Sequence, residues 1–159
     1  MSSAEILLHL TLPALEKLYL QLNIDETAFL HFLIRSSPPL RFLQLDSRAT
    51  ALSPALVKCL QTMHSLTELE THCRTECNWD ILDTLTATPA LLSNLQNIAV
   101  HGRTQSPEGY QRVVDFLASR RATIRRLHLA GDDARAFFED VGPAVREFGE
   151  EGIDIIVGP

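Results

Sequence analysis

One short phrase recurs through this chain. Leu40-Arg-Phe-Leu-Gln-Leu45 has the pattern L-x-x-L-x-L, and so does Leu15-Glu-Lys-Leu-Tyr-Leu20. Leu66-Thr-Glu-Leu-Glu-Thr71 is degenerate at its last position. Leu95-Gln-Asn-Ile-Ala-Val100 and Ile124-Arg-Arg-Leu-His-Leu129 keep the pattern with other aliphatics. A weaker sixth copy, Ile153-Asp-Ile-Ile-Val157, closes the series. The copies begin at residues 15, 40, 66, 95, 124 and 153, so the steps are 25, 26, 29, 29 and 29. A near-constant period of this length is the mark of a stacked repeat architecture. Each unit is too small to bury its own leucines. Stacked units bury them against one another in one continuous core.

The intervals between copies read as helices. Asp25-Glu-Thr signals a start, followed by Phe29, Leu30, Leu33 and Ile34 at helical spacing. Ser53-Pro54 sets a cap before a first-turn proline, and Leu56, Cys59, Leu60 and Met63 share a face. Asn78 opens a segment with Trp79, Leu82 and Leu85, where Trp79 is a core residue. Ser106-Pro107-Glu108 precedes Tyr110, Val113, Val114 and Leu117. The last interval starts at Asp132-Asp133 and contains Phe137 and Phe138, which cannot both face one core stripe. Gly142-Pro143 predicts a break there, giving two short helices, the second carrying Val145 and Phe148. Pro13, Pro38-Pro39 and Pro89 stand just before strand motifs, where a residue without an N–H suits the approach loop.

The predicted fold is therefore α/β: one domain over residues 1–159, with five to six repeats and no linker or second domain. Parallel strands would line a concave face and helices a convex one. A chain of this kind can also be one piece of a longer protein.

With the repeats laid out, the sequence resembles leucine-rich repeat proteins with helical convex sides. Leu8-His-Leu-Thr-Leu-Pro-Ala-Leu-Glu-Lys-Leu-Tyr-Leu20, Phe32-Leu-Ile-Arg-Ser-Ser-Pro-Pro-Leu-Arg-Phe-Leu-Gln-Leu45 and Gly152-Ile-Asp-Ile-Ile-Val-Gly158 are worded like the repeat region of fungal F-box proteins. The resemblance implies the substrate-recruiting part of a ubiquitin-ligase receptor, or a stand-alone relative. No F-box is visible before Leu15. The family often has Asn or Cys at the ninth position of each repeat. Here that position holds Asn23, Arg48, Arg74, Arg103 and Asp132, so irregular turns are expected in the middle loops.

Strand alternation assigns the outward side chains. The third-position column is Lys17, Phe42, Glu68, Asn97 and Arg126. The fifth is Tyr19, Gln44, Glu70, Ala99 and His128, and the seventh is Gln21, Asp46, His72, His101 and Ala130. The expected partner-binding face comprises Lys17, Tyr19, Phe42, Gln44, Glu68, Glu70, His72, Asn97, His101, Arg126 and His128, with an aromatic end, an acidic middle and a basic end. Aromatics and Arg are the usual anchors of interfaces.

His72 and His101 share a column, and Cys73 and Cys77 lie close in sequence. Zinc needs four convergent ligands, and alternation turns Cys73 away from His72. The reading is surface histidines with a loop thiol, and no metal or cofactor. A histidine pair also titrates near neutrality. Arg120-Arg121 and Arg125-Arg126 form a basic cluster, with Arg120-Arg121 read as a solvated last helical turn.

Chemistry is otherwise sparse. G-x-S-x-G, H-E-x-x-H, G-x-x-x-x-G-K, G-x-G-x-x-G and C-x-x-C are absent, so no enzyme is expected. A net charge of −6 argues against a general nucleic-acid binder. No apolar run reaches the roughly 18–20 residues that span a bilayer. Three cysteines do not suggest a disulfide framework, which places the chain inside the cell, cytoplasmic or nuclear. The expected partner is another protein on the concave face, with neither nucleic acid nor membrane. The other reading is a structural or self-associating repeat protein, pairing through open sheet edges.

Overall fold

The computed structural model describes residues 3–21, 25–47, 52–76, 79–103, 107–131 and 134–158. Strands and helices alternate: α1 (Ser3–His9), β1 (Lys17–Gln21), α2 (Glu26–Ser36), β2 (Phe42–Ser47), α3 (Pro54–Gln61), β3 (Glu68–Glu76), α4 (Asp80–Ala87), β4 (Asn97–Arg103), α5 (Pro107–Arg120), β5 (Arg126–Ala130), α6 (Ala134–Glu150) and β6 (Asp154–Gly158). The six strands form one parallel sheet in chain order, β1 to β6. Crossovers between parallel strands are right-handed. A sheet that always advances in one direction therefore carries all its crossover helices on one face. The arrangement is that of a repeat solenoid.

The core follows from the repeat. Leu43, Leu45, Leu66, Leu69, Leu95, Ile98, Val100, Ile124, Leu127 and Leu129 are buried, with the helix residues Phe29, Phe32, Leu56, Leu60, Leu82, Leu85, Val113, Phe116 and Phe137 packed against them in one cluster. Thr71 takes the aliphatic place in the degenerate third copy. It is buried too, and its hydroxyl donates to the Ala99 carbonyl at 3.4 Å, so the polar group is satisfied.

The helix starts use the expected chemistry. The Asp25 carboxylate accepts from the N–H groups of Thr27 and Ala28 at 2.9 and 3.1 Å. Ser53 Oγ accepts from Leu56 N–H at 3.0 Å, and Pro54 occupies the first turn. The Ser53 hydroxyl also donates to the Glu26 carboxylate, tying α3 to α2. Ser37 ends α2 in the left-handed region (φ 40°) just before Pro38-Pro39. Asn78, Ser106 and Asp132-Asp133, expected at the other helix starts, lie outside the described residues. So do Asn23, Arg48 and Asp132 among the ninth positions, as do the side chains of Arg74 and Arg103.

Four expectations are corrected. First, Ile34 does not share the core face of α2; it is exposed, and Phe32 is buried in its place. Second, α6 is one continuous helix with Pro143 inside it. A proline clashes with the Cβ of the residue before it in a helix. Gly142 has no Cβ, so that clash is relieved. Third, Trp79 packs against the core as expected but is only half-buried; its indole lies over Gly109 of α5, where an added Cβ would come within 2.5 Å of it. Phe137 is in the core, edge-on to Tyr110 with ring centroids 5.1 Å apart, while the side chain of Phe138 lies outside the described set.

The fourth correction is Arg120, which is 4% exposed rather than solvated. Its guanidinium donates to the carbonyl oxygens of Leu85, Thr88, Leu91 and Leu92 at 2.6–3.4 Å. These carbonyls line the turn after α4, where Leu92 has φ 51°. A left-handed non-glycine residue costs energy and persists only where its surroundings fix it. Arg120 supplies that fixing. The basic cluster is thereby split, since Arg121 pairs with Glu151 at 3.5 Å and Arg126 with Asp154 at 2.8 Å.

A helix that the repeat pattern did not announce, α1, packs on α2. Arg35 donates to the Leu7 and Leu10 carbonyls at 2.6 and 2.5 Å and so satisfies its C-terminal end. The helix layer forms two groups, α1–α2–α3 and α4–α5–α6, with little packing between α3 and α4. The sheet and the hydrophobic core beneath it run unbroken past that point, and the Asn94 amide donates to the His64 carbonyl at 2.7 Å across it. Among the described residues no helix is long and apolar enough to cross a membrane.

Candidate functional site

Strand pairing sets the solvent face of the sheet. The register aligns Lys17, Phe42, Glu68, Asn97 and Arg126 across five strands, then Tyr19, Gln44, Glu70, Ala99 and His128, then Gln21, Asp46, His72, His101 and Ala130. Strand β6 extends these rows with Asp154, Ile156 and Gly158. The eleven expected face residues are all partly or fully exposed, whereas Ala130 is buried.

The face is organised in patches. At one end Tyr19, 64% exposed, leans on Phe42 with ring centroids 5.3 Å apart. Beside Phe42, a shallow hollow is lined by Glu68, Glu70, Asn97, Arg126 and His128. Arg126 is not a free cation, because it is paired with Asp154.

The densest patch lies across β3 and β4. Glu70 and His72 are two residues apart on one strand, so they share a face. His101 stands opposite His72 in the register. The imidazoles stack, with centroids 4.2 Å apart and planes within 5°. Ala99 is the residue opposite Glu70. Its small side chain leaves the diagonal open for the carboxylate to reach the histidines. Glu70 Oε1 lies 2.5 Å from His72 Nε2 and 3.2 Å from His101 Nε2. His128 meets the His101 ring edge-on at 5.3 Å. Just past His72 the pairing of β3 with β4 shifts register, a bulge of the sort that re-aims side chains beside sites.

The electrostatics follow from this crowding. Burial pushes the His101 imidazole below its ordinary value, the neighbouring His72 pushes the same way, Glu70 opposes them, and His128 adds to the lowering. The neutral imidazole, with a lone pair on one ring nitrogen, is therefore favoured at His101. One candidate ligand atom from each of Glu70, His72 and His101 lies within 4.8 Å of the other two.

The alignment of His72 with His101 was legible from the repeat. The part played by Glu70 was not, although its position two residues before His72 carried the signal. Cys73, weighed as a neighbour, is half-buried, and Cys77 lies outside the described residues. No family model, curated protein or solved structure matches the chain.

Proposed function

We propose that the chain is a non-catalytic protein-recognition module of the leucine-rich repeat kind, which reads its partner with the solvent face of the sheet. One observation carries the reading. The inward positions repeat as aliphatics, while the outward columns differ at nearly every strand. Packing explains the first and leaves the second free to specify a partner. The exposed Tyr19–Phe42 pair supplies the aromatic anchor such a face needs. By resemblance, the partner is a substrate protein recruited to an F-box ubiquitin ligase.

The test is affinity capture from lysate with the native chain and with a Tyr19→Ser/Phe42→Ser/Glu68→Lys variant of matching thermal melt. A partner retained by the first and lost by the second supports the reading. Identical capture profiles overturn it. Fusion to an F-box module then separates the finer claim: the captured protein should be ubiquitinated only by the fusion.

Self-association is the second reading. Among the described residues strands β1 and β6 are each paired on one side only, and an open edge can take a strand from another chain.

A further inference from the structure

We propose that Glu70, His72 and His101 form a binding site for a divalent late transition metal, zinc first, held across β3 and β4. The inference goes beyond partner recognition and does not depend on it. Two imidazole nitrogens and a carboxylate oxygen are the donor set that zinc takes when three protein groups leave one position to water. The three candidate ligand atoms lie within 4.8 Å of one another. Tetrahedral bonds of about 2.0–2.2 Å place ligand atoms roughly 3.3 Å apart. The Glu70 Oε1 to His101 Nε2 distance, 3.2 Å, is close to that spacing, and the Glu70 Oε1 to His72 Nε2 distance, 2.5 Å, has to lengthen to reach it.

Closing the site requires the stacked rings to tip toward each other, because parallel rings carry parallel lone pairs. The His72 and His101 side chains are 35% and 27% exposed, so solvent covers part of each ring. Ligation would replace the contacts of Glu70 with the two ring nitrogens by bonds to one cation. Cysteine, weighed from the sequence as the missing ligand, is not needed; the carboxylate two residues earlier takes the place.

The experiment is a zinc titration by calorimetry at neutral pH, repeated with Glu70→Gln, His72→Gln, His101→Gln and Cys73→Ser/Cys77→Ser variants. One zinc per chain is expected. Each of the first three variants should weaken binding at least tenfold, a loss that even outer-shell changes can cause (~10–100-fold). The cysteine variant should bind as the native chain does. Cobalt(II), used as a paramagnetic stand-in, should broaden the NMR signals of His72 and His101 and leave His9, His31 and His64 sharp. The site is overturned by no stoichiometric binding, by binding that survives all three ligand substitutions, or by binding lost only with the cysteines.

Discussion

Replacing Arg120 removes the side-chain donor from four backbone carbonyl oxygens at once; those of Thr88 and Leu92 still accept from the Leu91 and Leu95 N–H groups, whereas those of Leu85 and Leu91 lose the guanidinium that holds them. Hydrogen bonds to a charged group contribute about 1.5–3 kcal/mol each, and unpaired buried acceptors are costly. Arg120→Ala should therefore destabilise the fold by on the order of 3 kcal/mol in urea titration. Arg120→Lys should recover only part of this, since an ammonium cannot span the turn as a planar guanidinium does. The burial of Arg120 was illegible in the sequence because a last-turn Arg suits a helix dipole equally well in solvent. Only the fold of the distant 85–92 turn distinguishes the two. Gly109 sets up an opposite contest. Alanine gains about 1 kcal/mol over glycine in a helix, but overpacking costs about 1–3 kcal/mol. With the Trp79 indole 2.5 Å from the new Cβ, the clash should win, and Gly109→Ala should lower the melting temperature. Trp79→Leu in the same chain should restore it. Cys59 offers a pH test. Burial, aided by the negative Glu26, pushes its thiol up to about 11. The folded protein should thus resist alkylation at Cys59 near pH 8. A raised thiol value means stability that is intact below the unfolded value of about 8.5. That contribution is lost as the pH rises through the folded value, and chemical denaturation at successive alkaline pH values measures it.

Among the elements, the strands and helices α2 to α5 follow from pattern alone, because leucine periodicity switches cleanly between two and 3.6. Two elements escaped. Helix α1 has only seven residues, too short to be stable alone; it stands because Arg35 on α2 satisfies its carbonyl end. Helix α6 was expected to break at Pro143, and it does not. The loss of one donor is compensated by a buried stripe of Phe137, Val141, Val145 and Phe148. Gly149 lies in the same helix, where an added Cβ would meet nothing within 4 Å. Gly149→Ala should stabilise by about 0.5–1 kcal/mol, visible as a higher melting temperature. Gly152 (φ +95°) closes the turn after it in a conformation that L side chains avoid. Gly152→Ala should cost at least as much as the previous change gains.

For the whole molecule, a repeat of five to six units and the alignment of the outward columns were legible in the sequence, since both depend on a fixed period; the sheet has six strands. The Glu70–His72–His101 cluster was half-legible, because a diagonal contact depends on which neighbour is small. The open edges predict a measurable outcome. If β1 and β6 mediate self-association, light scattering should show mass rising with protein concentration, and a charge placed in β6 (Ile156→Lys) should abolish the rise. A constant monomer mass would remove self-association from consideration.

The division of the helix layer into two trios has a mechanical consequence. Between α3 and α4 the load passes from helix–helix packing to strand pairing and the continuous core beneath it, and the strands there, β3 with nine residues and β4 with seven, are the longest in the sheet. The helix layer is thus weakest at that joint, and bending of the layer should concentrate there. A cation gripped by Glu70 and His72 of β3 and by His101 of β4 would act as a rivet across that joint.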